Sequence, residues 1–346
     1  MPLPNYFDAM DYPALIGAFG RPEDFATRIG RRSRDELRAG QNAQFLKLMT
    51  FAWTVPFYWR LWGNAGVELS DIRSLDDITR LPCYSKADLM ASVEAYPPLG
   101  DFHGLDSTPP DQRPPLIFQT TSGTTGRPQP LLFGPKSREI QNLLLARFYA
   151  LQGITRADVI HSVYGHGMVN GGHYVREAVL HWTGAQFLSA GTGVETRSAQ
   201  QVALMRDFGA TVIVGFGDYI KRLSEVAREQ GLVPGRDLPI RVISGHMGAE
   251  SAASMAAAWG GAEIYDWYGV GDTGASRAKG RTMPGFMCRK TRNIWKSSTS
   301  KPVCRSPPAK AAIWSAPACT RMMCFRSSGS ILMTCRPFAP IHRRWG

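Results

Sequence analysis

Residues 120–128 read Thr120-Thr121-Ser122-Gly123-Thr124-Thr125-Gly126-Arg127-Pro128, between the apolar runs Leu116-Ile117-Phe118 and Pro130-Leu131-Leu132-Phe133. This order predicts a strand, a flexible polar loop and a second strand. Glycines at 123 and 126 let the backbone approach an anion closely and turn N–H groups toward it. The hydroxyls of Ser122, Thr124 and Thr125 and the guanidinium of Arg127 add donors for phosphate oxygens. The stretch is not a Walker loop, because neither its glycine spacing nor its end has the required form. An ordinary Ser/Thr/Gly turn is the alternative for these residues taken alone.

Outward from this loop, apolar runs alternate with helical patterns. Strands are predicted over 116–119, 130–134, 158–164, 185–190, 210–216, 240–245 and 262–268, and helices over 136–151, 171–183, 198–208, 218–230 and 249–259. Such alternation with short connections predicts an α/β fold, a sheet with helices on its faces. Upstream, Leu37, Phe45, Leu46, Leu48, Met49, Phe51 and Ala52 recur at helical spacing within 34–62, and Val55-Pro56-Phe57-Tyr58 breaks that helix. The Pro/Gly-rich stretch 100–115 reads as a linker, and no internal repeat is visible. The expected organisation is a helical N-terminal region over 1–105, a core over 106–275, and a tail of different character over 276–346.

The net charge of +12 invites a nucleic-acid or membrane reading, but its distribution argues against one. Residues 1–275 hold 25 Lys and Arg against 28 Asp and Glu, whereas 276–346 hold 15 Lys and Arg and no acid at all. Cys288, Cys304, Cys319, Cys324 and Cys335 also fall in that tail, without the close pairing of a zinc site. The start carries two aspartates, Asp8 and Asp11, and no apolar core of a signal peptide. No apolar run approaches the roughly 18–20 residues needed to span a bilayer. The expectation is a soluble, cytoplasmic protein without membrane or nucleic-acid partners.

Residues 122–128 match at every position the pattern Ser-Gly-Thr-Thr-Gly-Lys/Arg-Pro, and so resemble the phosphate-binding signature of the adenylate-forming superfamily of acyl-CoA synthetases, luciferases and peptide-synthetase adenylation domains. Residues 55–90 resemble the N-terminal region of phenylacetate–CoA ligases, with Val55-Pro56-Phe57-Tyr58, the turn Ala65-Gly66-Val67, and a Leu-Pro-x-x-x-Lys-x-Asp-Leu stretch from Leu81 to Leu89. Lys86 and Asp88 there read as helix-start residues. A second motif, Asp266-Trp267-Tyr268-Gly269-Val270-Gly271-Asp272-Thr273-Gly274, resembles the family's Tyr-Gly-x-(Ser/Thr)-Glu, with Asp272 in place of the glutamate and Gly271 in place of the hydroxyl residue. A third, Ser244-Gly245-His246-Met247-Gly248-Ala249-Glu250, resembles the segment whose backbone lines the adenine site, although His246-Met247 depart from Glu-Pro. A fourth, Tyr164-Gly165-His166-Gly167-Met168-Val169-Asn170-Gly171-Gly172-His173, stands where the family has an aromatic, glycine-rich turn beside the acyl group.

The resemblance implies an α/β adenylate-forming N-terminal domain with a helical N-terminal region, the small C-terminal domain being absent. It implies ATP-dependent activation of a carboxylic acid such as an aryl acid, with coenzyme A as acceptor and Mg²⁺ on the phosphates. Thr124, Arg127 and Asp272 would be catalytic, with Asp272 as the Mg²⁺ ligand. Ser122, Gly123, Thr124, Thr125, Gly126, Arg127, Ser244, Gly245, His246, Trp267, Tyr268, Gly269 and Asp272 would bind the nucleotide. Tyr164, Gly165, Met168, Gly171, Gly217 and Tyr219 would line the substrate pocket; as a bland alternative, Asp218 would simply cap a helix. His166 and His173, without a carboxylate or cysteine between them, read as pocket or surface residues rather than metal ligands. The oligomeric state stays open, a homodimer included. Two other classes are a non-catalytic ATP- or AMP-binding module and a nucleic-acid binder using the basic tail.

The tail has its own reading. Displaced by one base, 276–346 yields text in which acids return and cysteines nearly vanish, including GLHV, EIVD-x-ETG-x-PV, GDLV and I-I-R-F-x-T-x-D segments that resemble phenylacetate–CoA ligases. The expectation is that the tail is out of frame and poorly ordered, and that the chain as written has little or no ligase activity.

Overall fold

The structure, a computed structural model, describes residues 5–25, 27, 33–123, 127–271, 273–281, 283–288, 326–327 and 330–331. The chain begins with two short helices, α1 (Asn5–Asp8) and α2 (Tyr12–Phe19). Asp11 caps α2 by accepting the Ala14 N–H at 2.8 Å, and a proline follows in its first turn, which suits a residue without an N–H.

Two compact units follow from the packing. One is built on Arg32–Arg113, and the other joins the N-terminal helices to Pro114–Arg289. In the first unit, α3 (Arg34–Ala52) opens with a capping box between Ser33 and Glu36, and α4 (Pro56–Gly63) starts at the proline that breaks the helical pattern. Helix α5 (Lys86–Ala95) begins as Lys86 and Asp88 foretold: Ser85 is its N-cap, and the Asp88 carboxylate accepts the Ser85 N–H at 2.6 Å. Phe45, Met49, Trp62, Ile72 and Leu81 form the core of this unit.

The second unit holds an antiparallel hairpin, β1 (Ile117–Thr120) and β2 (Pro130–Phe133), paired Ile117 to Phe133 and Thr120 to Pro130. Helix α6 (Pro135–Leu151) leads into β3 (Val159–Ser162), α7 (Gly171–Trp182), β4 (Gln186–Ser189), α8 (Ser198–Asp207), β5 (Val212–Phe216), α9 (Gly217–Glu229), β6 (Val242–His246), α10 (Ala252–Ala258) and β7 (Glu263–Val270). A seven-stranded sheet has the order β4-β3-β5-β6-β7-β8-β9, parallel from β4 to β7 and closed by the antiparallel strands β8 (Gly274–Gly280) and β9 (Met283–Cys288). This is the α/β architecture the alternation predicts. The central strands β5 and β6 are buried over their first four residues, on both faces, as strands covered by helices on each side are. Val202, Met205, Ile220, Leu223, Ile243 and Trp259 interlock beneath them. The sheet continues past the composition boundary at 275, and the rest of the tail lies outside the described residues except for the short strands β10 (Arg326–Ser327) and β11 (Ser330–Ile331).

Helix α6 is buried along nearly its whole length despite Arg138, Glu139 and Arg147. Each of these charges has partners. Glu139 accepts from Tyr6 at 3.0 Å, the Trp182 indole at 2.9 Å and Asn142 at 3.3 Å, and pairs with His181 at 2.8 Å. Arg147 bonds the Phe19 carbonyl and lies 4.6 Å over the Phe25 ring. The N-terminal helices are thus pinned to α6 by buried polar contacts as well as by packing.

Candidate active site

The polar loop 121–129 crowns the β1–β2 hairpin, and its base is closed by two bonds. The Thr121 N–H donates to the Gln129 carbonyl at 3.1 Å, and the Gln129 N–H donates to the Thr121 hydroxyl at 3.0 Å. Gly123 adopts φ 71°, the left-handed region that glycine enters without steric cost. Ser122 and Arg127 are exposed to solvent at the two ends of the loop. Thr124, Thr125 and Gly126, expected to complete the phosphate cradle, lie outside the described residues.

The third motif ends β6 at the carboxyl edge of the sheet, where open α/β sheets hold their ligands. Gly215 and Gly245 face each other in register on β5 and β6, and a Cβ on Gly245 would stand 1.8 Å from the Gly215 carbonyl oxygen. The next pair, Phe216 and His246, stack at 5.4 Å with an interplanar angle of 27°. Trp267 on β7 continues the row, 4.2 Å from His246 between ring centroids. Tyr164, just beyond β3, meets Phe216 edge-on at 5.1 Å, and its hydroxyl lies 2.9 Å from His246 Nδ1 and 3.2 Å from the Gly215 carbonyl. Four rings from four successive segments therefore line one end of the sheet.

Burial sets the electrostatics of this row. It pushes the His246 pKa below its ordinary value, against the attraction of the nearby Asp266 carboxylate, and raises that of the Tyr164 phenol. Both groups are held neutral near pH 7. The Trp267 indole N–H and the Ser244 hydroxyl are buried and find no hydrogen-bond partner among the described residues. His246 thus contributes its ring where the sequence pattern pointed to backbone alone.

The fourth motif ties the others together. The Thr120 N–H donates to the Met168 carbonyl at 2.8 Å, which fixes the phosphate-loop hairpin to the glycine-rich turn. The Asn170 side chain donates to the Gly271 carbonyl at 2.6 Å, which fixes the same turn to the second motif. A Cβ on Gly172 would stand 2.2 Å from the Gly165 carbonyl oxygen, so this turn folds onto itself where only glycine fits. Met168 is exposed, Gly165 lies against Glu195, and Gly171 has open space around it. Tyr268 is exposed on β7, and Gly269 packs against the Ala275 backbone. Asp272 lies outside the described residues.

Two expected residues are not members of the ring row. The Tyr219 hydroxyl is within 3.0 Å of Ser198 and accepts from Gln201 at 3.2 Å. Gly217 opens α9, where a Cβ would meet the Met247 carbonyl oxygen at 2.7 Å. Asp218 is not the cap of α9. Phe216 holds that place, two residues earlier, and Asp218 lies inside the first turn. Its charge there still complements the positive helix end. His166 bonds Ser189 at 2.8 Å and His173 bonds the Gly167 carbonyl at 2.7 Å, and no cluster of three His, Cys, Asp or Glu suited to a metal gathers among the described residues.

The sequence patterns gave no role to Arg138 or Asn170 and placed no helix before residue 34. The only available signal for α2 was Asp11 two residues before Pro13, a cap followed by a first-turn proline.

No family model matches the chain. A phenylacetate–coenzyme A ligase of Thermus thermophilus is 31% identical over 205 residues, covering 58% of this chain and 42% of the relative. One of Escherichia coli is 31% identical over 208 residues, covering 58% of this chain and 43% of the relative. The chain thus spans less than half the length of these two relatives. Among solved structures, 2-hydroxyisobutyryl-CoA ligase in complex with 2-HIB-AMP and CoA in the thioesterification state superposes with a TM-score of 0.66 and 26% identity, over 76% of this chain and 55% of the other. An open conformation of that ligase gives a TM-score of 0.63 at 25% identity, over 73% of this chain and 55% of the other. With this fold and these glycine-rich loops, the chain is similar to phenylacetate–coenzyme A ligases in sequence and to an adenylate-bound acyl-CoA ligase in fold.

Proposed function

We propose that the chain carries the nucleotide and acyl sites of an acid–CoA ligase acting on an aryl acid. The substrate carboxylate attacks the α-phosphorus of ATP, the bond to the β-phosphate oxygen breaks, and pyrophosphate leaves. The coenzyme A thiolate then attacks the acyl carbon of the mixed anhydride, and AMP leaves as the thioester forms. The protein's contribution is positioning and charge stabilisation rather than covalent catalysis.

The observation that carries this reading is convergence. Thr120 to Met168 and Asn170 to Gly271 join the phosphate-loop hairpin, the glycine-rich turn and the second motif, while the Phe216–His246–Trp267 row brings the third motif beside them. In this reading Ser122, Thr124, Thr125 and Arg127 hold the β- and γ-phosphates, with Gly123 and Gly126 giving close backbone approach. Gly245, Ser244 and Tyr268 lie along adenine, with Gly269 at its edge. His246, with the buried rings of Tyr164 and Trp267 packed against it, borders the place of a flat acid, with open space at Gly171 and the Met168 side chain at the rim. Mg²⁺ bound to ATP keeps most of its waters and needs only one or two carboxylates, a role Asp272 fits by chemistry. No helix among the described residues is long and apolar enough to cross a membrane, in keeping with a cytoplasmic enzyme on small-molecule substrates.

Calorimetric titration of the chain with MgATP, and pyrophosphate release with phenylacetate and other aryl acids, test this. Arg127→Ala is expected to weaken MgATP binding about tenfold, the scale of one charge-assisted hydrogen bond. Absence of any nucleotide binding would remove the reading. Binding without pyrophosphate release on any acid, by this chain and also by the protein encoded after a one-base correction of its tail, would favour a nucleotide-binding module.

A further inference from the structure

We infer that Asn170 is a positioning residue that sets the β7–β8 turn against the phosphate-loop hairpin, with Arg138 as its anchor. This rests on the reading above that a nucleotide triphosphate lies between those two elements.

Asn170 is fully buried and both ends of its amide are committed. Its Oδ1 accepts from Arg138 Nη1 at 2.5 Å, and its Nδ2 donates to the Gly271 carbonyl at 2.6 Å. A buried amide so held has one orientation, because flipping it would set its donor against a guanidinium and its acceptor against a carbonyl. Arg138 is itself fully buried, paired with Glu177 at 3.3 Å, and lies 4.8 Å over the ring of Phe133 on β2. One chain of contacts thus runs from β2 through Arg138 and Asn170 to Gly271. Two more contacts run parallel to it. Leu131 on β2 packs against Gly271, where a Cβ would approach its Cδ1 to 3.2 Å, and the Met168 carbonyl holds the Thr120 N–H. Burying a guanidinium is costly, and burial indeed lowers the Arg138 pKa. An apolar residue on α6 would serve packing at less cost, so the charge is better explained by the geometry it enforces.

Asn170→Asp isolates the function. It keeps volume and the acceptor facing Arg138, but sets a carboxylate oxygen against the Gly271 carbonyl. Hydrogen–deuterium exchange on the ligand-free full chain is expected to show Thr120 and the 264–271 segment losing protection together, with α8 and α9 unchanged. Titration is expected to show MgATP weakened about tenfold and AMP weakened less than twofold, a split that general unfolding would not give. If the variant melts near ambient temperature, Arg138→Lys replaces it, withdrawing the fork from Asn170 while keeping the charge, with the same joint loss of protection expected. Exchange that rises everywhere or in only one of the two segments would overturn the coupling. Joint loss of protection with MgATP and AMP weakened equally would overturn the positioning role. A parent chain that binds no nucleotide would overturn the function reading and the positioning role together, whatever the exchange shows.

Discussion

The Tyr164 hydroxyl lies 2.9 Å from Nδ1 of His246, joining the glycine-rich turn to the end of β6. The same hydroxyl is 3.2 Å from the Gly215 carbonyl, and it has only one proton to give. If it donates to Gly215, His246 carries its proton on Nδ1; if it donates to His246, the proton sits on Nε2. One hydroxyl therefore sets whether His246 Nε2 acts as an acceptor or a donor.

Tyr164→Phe is expected to cost about 1–3 kcal/mol, since a buried acceptor and a half-buried ring nitrogen both lose their partner. Calorimetry should record a melting temperature lower by several degrees. A variant as stable as the parent would show that the bond is already satisfied by water.

Stability should also respond to pH in two opposed ways. Burial holds His246, His161 and His166 below the ordinary value of 6.5, so the unfolded chain binds protons more readily than the folded one. Their contribution is complete above 6.5 and is lost as pH falls from there toward their folded values. His181 behaves in reverse. Its bond to Glu139 raises its pKa, so its contribution is complete below 6.5 and lost as pH rises through the folded value. Urea midpoints from about pH 5 to 8, the range in which histidine switches, should show His246→Gln flattening the acid limb and His181→Gln flattening the alkaline one. Unchanged limbs would assign the pH dependence to other groups.

Neighbouring glycines should give opposite results. Gly171→Ala meets nothing within 4 Å and should leave stability within about 0.5 kcal/mol of the parent. Gly172→Ala forces a Cβ to 2.2 Å from the Gly165 carbonyl and should cost about 2–4 kcal/mol or prevent folding. If Gly171 borders the acyl group, its alanine variant should also shift preference toward smaller acids with stability unchanged. Equal stability of the two variants would contradict the backbone contact.

Much of this architecture was legible because its signals are apolar and periodic. The run predicted over 210–216 is β5 at Val212–Phe216, and the helix predicted over 171–183 is α7 at Gly171–Trp182. The loop between Thr120 and Pro130 was legible because glycine and hydroxyl residues stand between two apolar runs. What stayed hidden is polar and buried. Arg138 and Glu139 are charged residues within the helix predicted over 136–151, yet both are fully buried, because their partners Asn170, Tyr6 and Trp182 come from distant segments. Hydropathy carries no trace of such pairings. The ring of His246 was hidden for a similar reason, since stacking depends on the register of β5 and β6, which no local pattern sets.

The Glu139 cluster makes the N-terminal helices part of the domain rather than an appendage. Glu139→Ala leaves the Tyr6 hydroxyl, the Trp182 indole and the His181 ring without their acceptor, at a cost of about 3–5 kcal/mol. Tyr6→Phe removes one bond and should cost about 1 kcal/mol, but should speed proteolytic cleavage within residues 9–25. Intact resistance to protease in both variants would show that packing of Leu15 and Phe19 alone holds the segment.

The composition of the chain breaks near 275. Residues 276–346 hold 15 basic side chains and no carboxylate, so they cannot supply an acidic acceptor pair for the ribose hydroxyls. Resemblance to the family implies a ribose-binding aspartate in the text recovered by a one-base displacement, at a place where the chain reads Met333-Thr334. A methionine thioether and a single threonine hydroxyl are poor substitutes for a carboxylate that accepts two hydrogen bonds. A gene corrected by one base near codon 275 should therefore encode a protein that binds MgATP at least tenfold more tightly and releases pyrophosphate with an aryl acid, while the 346-residue chain releases little. Turnover by the 346-residue chain equal to that of the corrected protein would mean that the ribose is held by residues before 276, and the out-of-frame reading of the tail would lose its functional consequence.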